Sequence, residues 1–311
     1  MGTPTRRPRV CVLALMPLLT VTIEAASRPG DTEVHVHAGG QGPWLARMAH
    51  SLGVDVVLCG PFGGENGALV EHLVREEGIV VRATPGRGTG AYVHDRREGD
   101  RDELASVRPV TLDRHELDDL YSATLVEALE ADVLVLTGDD AGLVPASFLG
   151  RIAGDARAAG ITVVSDLSGD QAAAVADVEG TILKMSHSEL AEGGFASGTE
   201  VEELVEGARG LLRRGAAVVM VSRADEPSLA VTGDRVVEVS VPDVSPADHR
   251  GAGDSMTAGI SVGLARGDAL EDALRLGAAA GVLNATRHGL GTGGGDDVDR
   301  LAGHVTVTPR D

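Results

Sequence analysis

Lysine is almost missing from this chain of 311 residues. Lys184 is the only one, and the other basic residues are arginines scattered among acids. With 47 Asp and Glu against 27 Lys and Arg, the formal net charge is −20. A nucleic-acid partner needs a basic face, and no Lys/Arg cluster supplies one. Cysteine is scarce as well. Cys11 and Cys59 both sit in apolar runs, so they read as buried thiols rather than as a disulfide or a metal site. Thiols of that kind suit a reducing compartment. No apolar run approaches the length of a membrane-spanning helix. There is no internal repeat and no low-complexity region; Gly291–Gly295 is a short glycine-rich loop.

The N-terminus imitates a secretory signal, because Arg6 and Arg7 precede the apolar run from Val10 to Met16. That run is short and Pro17 interrupts it. It reads better as a first, fully buried strand, and a cytoplasmic location is the expectation.

What the chain does have is 43% hydrophobic and 24% charged residues, enough for one large α/β domain or two smaller ones. Short β-branched runs at Val54–Leu58, Val133–Leu136, Thr162–Ser165, Thr181–Lys184 and Val218–Ser222 read as buried strands. Between them Gly42–Leu52, Gly67–Glu77, Ala141–Ala159 and Thr199–Arg214 read as helices. Such alternation implies βαβ units: a doubly wound α/β fold whose mostly parallel sheet has helices on both faces. Ligands in such folds bind beyond the carboxyl ends of the strands. Two segments break the rhythm. Thr20–Val36 alternates polar and apolar residues, and Ala91–Val107 is polar and charged. Both read as half-solvated antiparallel strands, either a small β-sheet lid over a site or a pair of surface hairpins.

The segment that says most is Arg250-Gly251-Ala252-Gly253-Asp254-Ser255, with Met256, Ile260 and Leu264 behind it at helical spacing. It reads as a tight turn delivering an aspartate to the start of a helix. Exposed N–H groups and the helix dipole make that turn a place for an anion. A carboxylate beside an anion makes sense if it takes a proton from a hydroxyl that attacks a phosphate. On this segment alone, an aspartate that merely caps the helix is an equal reading.

Ala38-Gly39-Gly40-Gln41-Gly42 in the N-terminal half, set beside Gly251-Ala252-Gly253-Asp254, resembles the PfkB (ribokinase-like) family of carbohydrate kinases. The resemblance runs nearly the whole length. Gly60–Gly67, the Lys184–Leu190 segment, Thr137-Gly138, Asp166-Leu167-Ser168-Gly169 and Val305–Val307 resemble further family motifs, several of them those of the 1-phosphofructokinase/tagatose-6-phosphate kinase branch. It implies one ribokinase-like domain over 1–311, with lid strands at about 20–36 and 88–107. It also implies ATP and Mg²⁺ as cofactors, and transfer of the γ-phosphoryl group to a hydroxyl of a sugar or sugar-like alcohol. By motif position Asp254 is the general base, and Gly251, Ala252 and Gly253 are the anion hole. Lys184, Ser222, Ala224 and Asn284 fall along the nucleotide, and Glu189 organises Mg²⁺ through water. Thr20, Gly39, Gly40, Gln41 and Tyr92 fall on the acceptor. Taken singly, Lys184 could equally be a snorkelling strand-end residue, Glu189 a first-turn helix acid and Asn284 a satisfied helix residue. In several relatives the lid pairs with a second subunit, so a homodimer through it belongs to the same set of expectations. Neither a nucleic acid nor a membrane does.

The acceptor half departs from the family. Met16-Pro17-Leu18-Leu19-Thr20 stands where the branch has Asn-Pro-x-x-Asp, and Gln41 stands where it has lysine. Thr89-Gly90-Ala91-Tyr92 loses polar contacts, Ser186 replaces an asparagine, and Ala224 stands for the glycine usual after Ser222. Loss of charged partners on this scale argues against ordinary fructose-1-phosphate or tagatose-6-phosphate recognition and for an uncharged or less hydroxylated acceptor. The alternatives are a catalytically impaired nucleotide- or metabolite-binding relative, or a nucleoside kinase of the same fold.

Overall fold

The structure, a computed structural model, describes residues 6–26, 28, 30–99, 101–139, 142–242, 250–286, 291 and 293–310. The chain opens with β1 (Arg9–Leu13), β2 (Leu18–Ala25), β3 (Thr32–Gly39), α1 (Gln41–Ser51), β4 (Asp55–Phe62), α2 (Gly64–Glu76) and β5 (Val80–Pro85). Next come β6 (Gly90–Asp95), β7 (Asp102–Val107), α3 (Arg114–Leu129), β8 (Val133–Thr137), α4 (Ala146–Ala158), β9 (Thr162–Asp166), α5 (Gly169–Ala176) and β10 (Ile182–Ser186). A short α6 (His187–Glu192) and α7 (Val201–Arg214) lead to the meander β11 (Val218–Arg223), β12 (Glu226–Thr232) and β13 (Val236–Ser240). Two long helices, α8 (Ala252–Arg266) and α9 (Leu270–Ala285), precede α10 (Gly295–Ala302) and β14 (Thr306–Arg310).

Ten strands form one sheet in the order β14-β13-β12-β11-β10-β9-β8-β1-β4-β5. Pairing is parallel from β11 through to β5 and antiparallel at the other edge. The parallel strands are apolar along their length because both faces are covered. In β1, Cys11 and Leu13 enter the core under α3, α4, α5 and α7. Their neighbours Val10 and Val12 enter the core under α1, α2, α8 and α9. The Cys11 and Cys59 sulfurs lie 3.8 Å apart as free thiols. Their mutual hydrogen bond and burial push the Cys11 thiol well above its ordinary value.

A separate four-stranded sheet has the order β3-β2-β6-β7. β2 and β3 are antiparallel, β2 and β6 parallel, and β6 and β7 antiparallel. Period-2 alternation gives it a polar face carrying Thr20, Thr22, Tyr92 and His94, and an apolar face against which α2 packs.

Local chemistry accounts for several element ends. α3, which the strand–helix reading passed over, begins on a reciprocal capping box between Asp113 and Glu116. The helix expected over 141–159 starts at Ala146, after Pro145 at its N-cap; residue 141 lies outside the described residues. The loop expected at 291–295 is cut short because α10 starts at Gly295; residue 292 lies outside the described residues. α8 and α9 pack at close range, where a Cβ on Gly259 would stand 2.7 Å from the Cα of Gly277. Among the described residues no helix is long and apolar enough to cross a membrane.

Candidate active site

Strands β1 and β8 are neighbours in the sheet, but the next strands in sequence leave in opposite directions from them. Such a switch point opens a crevice at the carboxyl ends of the strands. A cavity of about 270 Å³ occupies it. Its wall is built from Met16 after β1, Thr137-Gly138-Asp139 at the end of β8, and Asp166-Leu167-Ser168 at the end of β9. Gln41 and Trp44 of α1, Glu189 of α6 and Asp254 of α8 complete it.

Asp254 lies in the first turn of α8, whose N-cap Gly251 has φ +69° and so needs a residue without a Cβ. The residue is 9% exposed. Burial pushes its pKa up from 3.8 to about 7, and the nearby Asp166 carboxylate adds to the rise. The Lys184 ammonium and a hydrogen bond from Gln41 pull the other way, while Glu189 pushes it further up. A carboxylate near neutral pKa is well matched to exchanging protons at physiological pH.

Lys184 is held beneath it. On adjacent parallel strands, Lys184 and Asp166 are register partners, and Nζ lies 3.2 and 3.3 Å from the two carboxylate oxygens. Thr257 of α8 donates to the same Asp166 at 2.7 Å. Burial works against the ammonium, but the Asp166, Glu189 and Asp254 carboxylates outweigh it and raise its pKa, so Lys184 stays protonated. A Cβ on Gly253 would stand 2.5 Å from Nζ. The missing side chain is therefore what lets the cation reach the amide end of α8.

On the opposite wall, Gly40 has φ +95°, and a Cβ there would meet the Met16 carbonyl oxygen at 2.3 Å. The Gly138 N–H donates to Gln41 Oε1 at 3.1 Å. Glu189 is at once a first-turn helix acid and a cavity residue. Its Oε2 accepts the Ser186 N–H at 2.6 Å while Ser186 Oγ accepts the Glu189 N–H at 3.2 Å. Ser186 thus caps α6 in a reciprocal box with Glu189.

A second cavity of about 420 Å³ adjoins the first, sharing Leu18, Gly40 and Trp44. Thr20 and Tyr92, register partners in the small sheet, line it with His94, Arg101, Glu103 and Arg250. Burial, then Arg101, and also Arg250 and Arg96, hold the His94 pKa below the usual histidine value, with Glu103 opposing. In a chain of net charge −20, this cavity brings together the Arg101 and Arg250 guanidinium groups with one carboxylate, Glu103.

The structure thus gathers Asp254, Gln41, Gly40 and Glu189 around one chamber and Thr20, Gly40 and Tyr92 around the next. A Cβ on Gly39 would meet Thr20 Oγ1 at 2.3 Å. Gly39, Lys184, Gly251, Ala252 and Gly253 are not among the lining residues of either chamber, and neither are Ser222, Ala224 and Asn284. Ser222 Oγ donates to the Met185 carbonyl at 3.5 Å. Ala224 takes φ +50° in the two-residue connection between β11 and β12. Asn284 gives both ends of its amide to backbone, donating to the Arg250 carbonyl at 2.6 Å and accepting from Gly291 N–H at 2.8 Å. It ties the loop ahead of Gly251 to the 291 loop, which matches the satisfied-helix-residue alternative. Trp44, Arg101 and His94 escaped the sequence reading altogether. Asp166, Thr137 and Gly138 belong to sequence motifs, and Arg250 to the glycine turn, but no motif assigns them a role.

The model of the pfkB family carbohydrate kinases matches residues 19–294. The 1-phosphofructokinase of Bacillus subtilis is 29% identical over 275 residues, covering 88% of this chain and 88% of that protein. The ATP-dependent 6-phosphofructokinase isozyme 2 of Mycobacterium tuberculosis is 30% identical over 308 residues, covering 95% of this chain and 89% of its own. Among solved structures, phosphofructokinase-2 of Escherichia coli shares the fold with a TM-score of 0.82 at 23% identity, over 95% of this chain and 98% of that one.

Proposed function

This chain belongs to the pfkB family of carbohydrate kinases, and on that premise we propose that it moves the γ-phosphoryl group of ATP to a hydroxyl of an anionic sugar, with Asp254 as general base. The observation that carries the reading is the position of Asp254: buried, near neutral pKa, and in the first turn of α8 at its amide end, with Lys184 beside it. In the reaction, Asp254 accepts the proton of the acceptor hydroxyl while that oxygen attacks the γ-phosphorus. The bond to the ADP oxygen breaks, and the charge on the moving phosphoryl is held by the N–H groups of Gly251, Ala252 and Gly253 and by Lys184. Asp166 and Glu189 face the same cavity, and hard oxygen donors of this kind suit a hydrated Mg²⁺ that would neutralise phosphate charge. Ser222, Ala224 and Asn284 remain the proposed border of the nucleotide side.

The small sheet acts as the lid of a single kinase domain in this reading. Its polar face bears Tyr92 and His94, and Arg101 and Glu103 border the same cavity. A homodimer through the lid belongs to the same proposal. Loss of the family lysine at Gln41 argues for an uncharged acceptor, but Arg101 and Arg250 supply positive charge from other elements. A phosphate-bearing acceptor therefore fits the chamber better than a neutral one. The relatives named 1-phosphofructokinase and 6-phosphofructokinase point the same way. A second reading, a nucleoside acceptor, is favoured by one feature only, the aromatic pair Trp44 and Tyr92 in that chamber.

The test is a panel with ATP and Mg²⁺: fructose 1-phosphate, fructose 6-phosphate and tagatose 6-phosphate against fructose, ribose and nucleosides. Phosphorylated product is expected from a sugar phosphate. Turnover of nucleosides alone would establish the second reading. Binding of a panel member with no product from any would replace both with a non-catalytic binding protein.

A further inference from the structure

His94 is 7% exposed, and among the described residues neither of its ring nitrogens has a hydrogen-bond partner. An imidazole that has left water without a replacement raises the free energy of the folded chain, so such groups are uncommon. Thr22 on β2 and Glu103 on β7 are its register partners, yet neither bonds to it. The pairing of β6 with β7 slips by one residue just here. Val93 faces Ala105 and His94 faces Glu103, which leaves Leu104 over as a bulge. Bulges re-aim side chains and gather beside functional sites. This one leaves Leu104 57% exposed and sets Glu103 with His94 on the wall of the 420 Å³ chamber. Arg101 and Arg250 line that chamber from either side of the same pair. The Tyr92 ring packs on His94 with centroids 5.7 Å apart. The χ2 torsion of a histidine is soft, so a small turn of the ring brings a nitrogen to the cavity. A neutral imidazole has one donor and one acceptor nitrogen, and a sugar phosphate offers both counterparts, a phosphate oxygen and a hydroxyl.

We propose that His94 determines which acceptors are held: its imidazole donates a hydrogen bond to the phosphate of a sugar phosphate, beside Arg101 and Arg250, and takes up a proton from solvent as that dianion arrives. In the free protein the ring is neutral at pH 7. Burial, then Arg101, and also Arg250 and Arg96 disfavour its charged form, with Glu103 opposing. His35 stands one strand further off on the same face, beyond Thr22. A phosphate dianion reverses the sign of the field at the ring. It favours the imidazolium, so binding tightens as pH falls. The inference rests on the reading of this chamber as the place of a phosphate-bearing acceptor. Its test reads binding and needs no turnover, so the two fail separately.

The test is calorimetric titration of the full chain, with and without a non-hydrolysable ATP analogue. The probes are fructose 1-phosphate, fructose 6-phosphate and tagatose 6-phosphate, with fructose as the uncharged control. His94→Phe keeps a buried ring and loses both nitrogens. His94→Gln keeps a donor and an acceptor but cannot take up the proton. His94→Phe is expected to melt no lower than the wild type, because the free chain loses no bond. Its Kd for the sugar phosphate that the wild type binds should rise about tenfold or more. His94→Gln should fall between the two. The ratio of its Kd to that of the wild type should shrink about fivefold or more from pH 6 to pH 8. Ionisation of the ligand itself cancels in that ratio. A sugar phosphate bound alike by all three proteins overturns the inference and leaves the phosphate-acceptor reading in place. A Kd ratio that ignores pH overturns the proton uptake. A His94→Phe chain that melts well below the wild type would reveal a structural partner for the ring and overturn the inference too. Binding that depends on His94 but gives no product with ATP and Mg²⁺ would keep the inference and remove the kinase. If no sugar phosphate binds the wild type more tightly than fructose does, both fall.

Discussion

Lys184 and Asp166 face each other across β10 and β9 as register partners, with Nζ 3.2 Å from Oδ2 and both side chains under 10% exposed. The chain's one lysine is therefore held between an acid in the sheet and the amide end of α8. A buried pair adds little net stability when intact, but leaves a stranded charge when one partner is removed.

Asp166→Ala is expected to destabilise the fold by about 3–5 kcal/mol, because it removes the hydrogen-bonded counter-charge of the buried Lys184 ammonium, while the Thr257 hydroxyl keeps its bond to the Gly253 carbonyl. The double variant Asp166→Ala/Lys184→Met should lose less than Asp166→Ala alone. Urea unfolding of the two measures it, and a single-variant loss below about 1 kcal/mol would mean that water already solvates this pair.

Asp254→Asn should lower phosphoryl transfer by about 10²–10⁴-fold and leave ATP affinity within a few fold. Steady-state rates with the acceptor found in the panel, alongside calorimetric ATP binding, check it. Near wild-type turnover would remove Asp254 from the role of base.

Two opposite pH trends follow from the same carboxyl. The base works deprotonated, so kcat/KM should fall as pH drops below about 7. Stability should run the other way. The folded-state pKa of about 7 lies above the ordinary 3.8, so between these values the folded chain holds a proton that the unfolded chain releases. This contribution is fully present below pH 3.8 and is lost as pH rises through about 7. Asp254→Asn should accordingly be more stable than wild type at pH 8, by up to about 4 kcal/mol, with the gap narrowing toward pH 5. Thermal melts at the two pH values decide it; a gap that widens toward pH 5 would contradict the raised pKa.

Ala224 is the one non-glycine residue with positive φ among the described residues. Left-handed backbone costs an alanine about 1 kcal/mol or more, part of which glycine returns through its looser unfolded state. Ala224→Gly should raise Tm by about 2 °C. No change, or a drop, would show that the β11–β12 connection bears no strain.

Much of the fold was legible because its strands are buried on both faces. Runs such as Val133–Leu136 and Val218–Ser222 carry their own signal, and the glycine turn before Asp254 announces a helix start. α3 was harder, because its buried stripe is Leu120, Thr124 and Ala128, too small and mixed to stand out, although Asp113 and Glu116 spell its capping box. The site divides similarly. Asp254, Gly253 and Glu189 sit in local motifs. The pairing of Lys184 with Asp166 depends on strand register, and the meeting of Arg101 with Arg250 depends on how the small sheet lies over the large one. Neither is written in spacing along the chain. Asn284 was legible as a polar residue in a late helix, but its two backbone partners come from loops that only the folded chain brings together.

Trp44 borders both chambers, and it is the chain's single indole. Fluorescence excited at the red edge of its absorption therefore comes from the site alone, with no background emitters elsewhere in the molecule. Each arriving molecule that displaces solvent from that ring will shift or quench the signal, so occupancy can be followed optically on unmodified material before any product assay exists.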